Sequence, residues 1–451
     1  MPAYLWMRTN LIKFHQMKRY MTLIFMLLSL SALAQNTDTL KISLQQAQAL
    51  ALKNRFDIHA NQYDIDIANN NIVKTRNEWL PDLSAGGTIR YNTQLQATLI
   101  PTGFAGSNQP QLLALGSKNT TIFDLELDQP IFKPNLTTDI KIARNDVATQ
   151  QERNRAYEIE IKTQVNYSYL NVQLKALQLK IMIDNQNRYQ DYYTVATATF
   201  KAGALLENDL LKAKLDYQNA QTESEKERQQ YELSLKKLSY QLNISSSLNL
   251  VLTDTIVADK QILMQAAGPS RTEIRLLQLQ QEDIKLQKQK IRQSNLPVVS
   301  LFANYSQQFL NDNFNYSTTK MWSPFSYLGL KLNVPISLIF KNKANLEEFK
   351  LKDKQTALLL EQKNADINYE IQNATTTLSN AAKNMQTAKS NYDLSRLIYN
   401  TQKQQYKFGA LLYRHLLDTE KSLSTAEQNY VKTVYDYLLA KTDYLRANGS
   451  L

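Results

Sequence analysis

Phe200-Lys201-Ala202-Gly203-Ala204-Leu205-Leu206 returns 206 positions later as Tyr406-Lys407-Phe408-Gly409-Ala410-Leu411-Leu412. Each copy is a Gly-centred break between long stretches that hold neither Gly nor Pro: 135–202 and 204–267 around the first, 336–408 and 410–448 around the second. A Gly that ends one helical pattern just before another begins is the mark of a helix-hairpin turn. Two further landmarks recur in the same order. Asn54-Arg55-Phe56-Asp57-Ile58 … Trp79-Leu80-Pro81 returns as Ser270-Arg271-Thr272-Glu273-Ile274 … Asn295-Leu296-Pro297, and Leu125-Glu126-Leu127-Asp128-Gln129-Pro130 as Leu330-Lys331-Leu332-Asn333-Val334-Pro335. The chain is a duplicated structural unit.

The stretches without Gly or Pro are rich in Ala, Leu, Gln, Lys, Glu and Asn. A helix of roughly 60 residues is about 90 Å long, far beyond a globular helix, and needs coiled-coil packing along its length. A 3-4 seam is present in both halves. It runs through Leu210, Ala213, Tyr217, Ala220, Ser224 and Tyr231, and through Leu416, Thr419, Leu423, Ala426, Tyr430, Thr433 and Tyr437. Small and large residues mix on this seam, which suits helices packed on two sides, as in a barrel of helices.

Four segments between the helical runs have period two. They begin at Leu83, Thr121, Val299 and Tyr327. In the second, Phe123, Leu125 and Leu127 point one way and Asp124, Glu126 and Asp128 the other. Strands of about ten residues with one apolar and one hydrophilic face are the signature of an outer-membrane β-barrel. Four strands cannot close a barrel, so the sheet needs a second layer or partner chains. The connections, about 96–118 and 310–323, read as polar loops, and the first hairpin carries an insertion of about 11 residues.

Met17-Lys18-Arg19-Tyr20-Met21 is a basic start, Thr22 to Leu33 an apolar core and Ala32-Leu33-Ala34 a small-x-small cleavage site. The expected organisation is an export leader at 1–34 (with Met17 an alternative start), a first repeat at 35–245, a linker at 246–269 and a second repeat at 270–451. The net charge of +11 includes four cations of the leader, which leaves +7 on the rest. Those charges are interleaved in sign and carry no nucleic-acid motif. With no cysteine, disulfides, thiolate metal sites and an acylated Cys are excluded. Only His15, His59 and His415 exist, none in a ligand-spaced cluster. No phosphate loop or catalytic triad is present, so neither an enzyme nor a cofactor is expected, and the acids read as solvated heptad surface.

The twofold repeat, the Leu-Pro before each first strand, the Pro closing each second strand and the aromatic-x-x-Gly turns resemble the TolC-like outer membrane efflux proteins, from about Leu44 to Gly449. The resemblance implies a mixed α/β membrane protein and a homotrimer. Each copy would give four strands to a shared twelve-stranded outer-membrane β-barrel and long antiparallel helices to a periplasmic α-barrel. It implies a passive exit duct of a tripartite efflux or type I secretion system. Its partners would be a periplasmic adaptor (membrane fusion) protein, an inner-membrane pump of RND or ABC type and outer-membrane lipid. An exported coiled-coil scaffold or adhesin without a pore is the alternative.

By position, the resemblance assigns Gly203, Ala204, Leu205 and Leu206, with Gly409, Ala410, Leu411 and Leu412, to tip turns that dock the adaptor. Asp418 falls at a gate constriction, and His415 stands where a second acidic ring is common. Asp209 and Tyr406 match residues that latch neighbouring helices, while Leu411 replaces the usual Arg partner and Arg414 lies on another face. Arg90, Asp124, Glu126, Asp128 and Lys331 would be charges of the barrel lumen.

Overall fold

The computed structural model describes residues 39–102, 109–245, 248–254, 271–408 and 410–450. The leader at 1–34, most of the linker at 246–269, and Gly409 lie outside the described residues. The first half runs β1 (Thr39–Ile42), α1 (Leu44–Asn54), α2 (Phe56–Asn77), β2 (Asp82–Tyr91), β3 (Ala97–Ile100), β4 (Gln111–Ala114), β5 (Asn119–Phe132), α3 (Pro134–Lys201), α4 (Glu207–Gln241) and β6 (Asn249–Leu252). The second half runs α5 (Thr272–Gln293), β7 (Val298–Asn311), β8 (Trp322–Asn333), α6 (Leu338–Lys407) and α7 (Tyr413–Ala447).

The duplication is exact in the helices that matter for length. α2 and α5 have 22 residues each and α4 and α7 have 35 each. α3 and α6 have 68 and 70 residues, or about 100 Å at 1.5 Å per residue. Pro134 opens α3, where its missing N–H costs nothing. At the far end, Gly203 takes φ 74° and Ala204 N–H donates to the Thr199 carbonyl at 3.0 Å, a Schellman turn. In the second copy Ala410 N–H donates to Gln405 O at 2.9 Å in the same way.

The shorter helices join end to end. α4 ends where α2 begins, and α7 ends where α5 begins. At the first joint Arg55 donates to the Gln241 carbonyl (3.4 Å) and grips Asp57 (2.5 Å). At the second, Arg271 donates to the Ala447 carbonyl (3.4 Å) and grips Glu273 (2.5 Å), and it also pairs with Glu370. A cation at the last carbonyls of a helix offsets its negative end. The Arg-x-acid repeat seen in the sequence is therefore a joint between stacked helices. Asn243 (φ 50°) and Gly449 (φ 73°) make the matching left-handed helix ends, and the Asn243 side chain donates to Asn54 O at 2.7 Å.

The main sheet has the antiparallel order β2-β5-β7-β8, with both edges open. The connection between β2 and β5 is more than a polar loop: β3 and β4 pair as a second hairpin there, Leu99 opposite Leu112. Part of the linker is likewise ordered. β6 pairs in parallel with β1, and Tyr169 and Gln173 of α3 bond to Ile42 O and Asp254 O. Buried side chains form three separate clusters. One surrounds β1 and the middle of α3 (Ile42, Val165, Tyr169, Leu238), one lies near the tip (Tyr192, Tyr399, Leu416, Leu423) and one joins α6 to α7 (Leu378, Tyr437, Tyr444). Long helices packed side by side have no single centre. Among the described residues no helix is long and apolar enough to cross a membrane.

Candidate functional site

Two regions carry the chemistry: the faces of the sheet and the tip of the helical hairpins. In the sheet, the cross-strand pairs Arg90–Thr120, Gly86–Asp124, Ser84–Glu126 and Asp82–Asp128 share one face. β7 adds Ser306, Asn304 and Ser300, and β8 adds Lys331 opposite Ser300. All five sequence-expected lumen charges thus lie on one face, and Asp82 joins them. The other face presents Leu83, Ile89, Phe123, Leu125, Leu328, Leu330 and Leu332, all largely exposed. Water does not tolerate an apolar patch of this size, and lipid does. The glycines are placed for clearance: a Cβ on Gly86 would lie 2.7 Å from Asp124 Oδ2, and one on Gly329 would lie 2.7 Å from Phe302 Cζ.

At the tip, Leu206 and Leu412 are the caps of α4 and α7 and are 74 % and 68 % exposed. Ala204 and Ala410 are exposed, and Leu205 and Leu411 half-buried. Asp418 and His415, three residues apart on α7, share an exposed face. Asp209 lies in the first turn of α4, where an acid also favours the positive helix end. Tyr406 packs against Tyr413 with ring centres 6.0 Å apart, and burial raises its pKa. Within one subunit no hydrogen bond joins Asp209 to Tyr406 among the described residues.

The acids do not all lie on solvated heptad surface. Glu420 of α7 is fully buried and binds Arg188 of α3 at 2.5 Å. Arg188 also reaches Glu427, one heptad further on, at 3.3 Å. Beside it the hydroxyls of Tyr192 and Tyr399 bond at 2.6 Å, and Arg188 stands 6.0 Å over the Tyr399 ring. Burial pushes both the Glu420 and Glu427 carboxyls above their usual range against the pull of Arg188. Burial also opposes the Arg188 charge, but the two carboxylates hold its pKa above the usual guanidinium value. The sequence held a signal for this group: Leu416, Glu420, Leu423 and Glu427 keep the 4-3-4 spacing of a buried stripe.

The family model of the outer membrane efflux protein matches residues 30–243. The solved CusC structure superposes with a TM-score of 0.70 at 19 % identity, over 92 % of this chain and 95 % of that one. The first half of the chain is thus similar to the outer membrane efflux proteins, and the whole chain shares the fold of a solved member. Cation efflux system protein CusC of Escherichia coli (strain K12) is 26 % identical over 315 residues, 66 % of each chain, so the match spans just under two thirds of that relative. SilC of Salmonella typhimurium, a probable outer membrane lipoprotein, is 22 % identical over 88 % of this chain and 84 % of its own. The Campylobacter jejuni CmeC outer membrane channel superposes with a TM-score of 0.67 at 15 % identity, over 90 % of this chain and 85 % of that one. The likeness to these solved channels shows the fold: a four-stranded sheet set on long paired helices.

Proposed function

We propose that the chain is one subunit of a homotrimeric exit duct in a tripartite efflux system. The observation that carries this reading is a four-stranded sheet with both edges open, one apolar face exposed and one charged face, set on helices of about 100 Å. Three copies, β8 of each pairing with β2 of the next, would satisfy both edges and turn the apolar face to lipid. A pore-free scaffold leaves that face without a purpose.

The tip turns, with the exposed leucines Leu206 and Leu412 and with Gly203 and Gly409, would receive a periplasmic adaptor, and an inner-membrane pump of RND or ABC type would supply the energy. Asp418, repeated three times about an axis, would form a carboxylate ring that favours cations, with His415 beside it. Asp209 and Tyr406 would latch neighbouring helices of the tip. One relative, CusC, is named as a cation efflux system protein. On the polar sheet face four carboxylates (Asp82, Asp124, Glu126, Asp128) stand against Arg90 and Lys331, which supports a cation-tolerant lumen.

The test is purification from outer membranes, followed by planar-bilayer recording and in-cell crosslinking from Lys201→Cys and Lys407→Cys. Heat-modifiable trimers that conduct, and capture of a periplasmic partner from the tips, are the expected results. A monomeric, water-soluble product without conductance refutes the reading.

A further inference from the structure

α7 carries its two exposed gate candidates on one face and, on the other, the buried Glu420 and the half-buried Glu427. Asp418 and Glu420 are two positions apart, about 200° around the helix. Glu420 and Glu427 are seven apart and share the side turned to α3. Both close on a single guanidinium, Arg188, from the other helical hairpin. The surrounding charges are Lys403 near Glu420, and Asp184 and Arg396 near Glu427. One oxygen of Glu420, Oε2, lacks a hydrogen bond of good geometry among the described residues, so this pair is poorly suited to adding stability. Buried pairs of this kind fix geometry more than they stabilise.

The duplication provides a control. Shifting by the 206 positions that relate Gly203 to Gly409, the counterparts of Arg188, Tyr192, Glu420 and Glu427 are Leu394, Ile398, Lys214 and Gln221. None of these can rebuild the clamp. Leu394 and Ile398 are 57 % and 44 % exposed on the free side of α6, and Lys214 and Gln221 are exposed on α4. The boundary inside a subunit is pinned by charge, and its counterpart at the subunit edge is not.

We propose that Arg188 is a positioning residue of the tip, clamping the gate helix α7 to the first hairpin through Glu420 and Glu427, so that opening occurs at the boundary between copies. This rests on the gate reading of Asp418 above. Arg188 sets where Asp418 and His415 stand.

The test uses full-length trimers in planar bilayers. Arg188→Met/Glu420→Met/Glu427→Gln removes the clamp without stranding a charge, and is expected to raise the open fraction about tenfold (about 1.4 kcal/mol) with cation preference unchanged. Arg188→Lys keeps the charge but not the fork that reaches both carboxylates, and is expected to raise the open fraction by less than the triple variant's roughly tenfold. Should the triple variant yield no heat-resistant trimer, Glu420→Gln keeps shape and acceptor while weakening the bond to Arg188, and is expected to raise the open fraction about threefold (about 0.65 kcal/mol). An unchanged open fraction in the variant that folds overturns the clamp. Asp418→Asn separates the two ideas: it should lower cation preference with the open fraction unchanged. A lost preference beside a silent triple variant leaves the gate and removes the clamp, whereas an unaltered preference removes the gate itself.

Discussion

Replacing Arg55 with Met keeps the aliphatic stem and deletes the charge at the joint between α4 and α2. The guanidinium makes three bonds to Asp57, at 2.5, 3.0 and 3.2 Å, and one to the Gln241 carbonyl at 3.4 Å. Bonds to charged groups contribute about 1.5–3 kcal/mol each in mutational series. Asp57 is 36 % exposed, so solvent screens the pair and the lower end applies, about 1.5 kcal/mol for the joint. The loss should be local. Leu242, Asn243 and Ile244 donate to Leu238 O, Tyr240 O and Ser239 O at 3.0–3.1 Å, and their amides report the fraying of this helix end. About 1.5 kcal/mol corresponds to roughly tenfold faster exchange there, read by hydrogen-exchange mass spectrometry on the detergent-solubilised trimer. Arg271→Met should do the same to Asn448, Gly449 and Ser450 and leave the first joint alone. The joints share no partner, so the double variant should give both effects unamplified. A change below about twofold at the substituted joint, or equal acceleration at the distant one, refutes the staple.

Asn243→Ala must hold φ near 50° without the carboxamide that bonds Asn54. It should cost about 1–2 kcal/mol in denaturant unfolding, and Asn243→Gly less than half of that. Gly329→Ala puts a methyl 2.7 Å from Phe302 Cζ; it should lower the yield of heat-modifiable trimer by about 1–3 kcal/mol of overpacking, and Phe302→Leu should restore it. Two acids should give pH profiles of opposite slope. The Arg55 and Tyr157 hydrogen bonds hold Asp57 well below its unfolded value of 3.8, so its contribution is present above that value and is lost as pH falls below it. The stability gap to Asp57→Asn should therefore close in acid. Burial holds Glu420 above its unfolded value of 4.5, so its contribution is full below that value and is lost as pH rises. Glu420→Gln should gain on the parent as pH rises above 4.5, and a flat difference would contradict the burial argument.

Period and punctuation in the sequence determined the architecture. Gly203 and Gly409 mark the hairpin turns, and the long runs free of Gly and Pro set helices near the lengths found. Alternation in Thr121–Asp128 assigned the two faces of β5, because a strand's side-chain period leaves no choice once one face is apolar. The polar reading of 96–118 missed β3 and β4, whose four-residue strands are too short to show a period. Only the tertiary structure decided which charges meet. Arg188 lies 232 positions from Glu420, and the Arg55 and Arg271 repeats became joints only when the ends of α4 and α7 came to rest on them. Local pattern fixes the element and its faces, since each residue's neighbours in sequence are also its neighbours in space. The clamp and the joints depend on helix ends and faces brought together from opposite halves of the chain, and no local pattern encodes that distance.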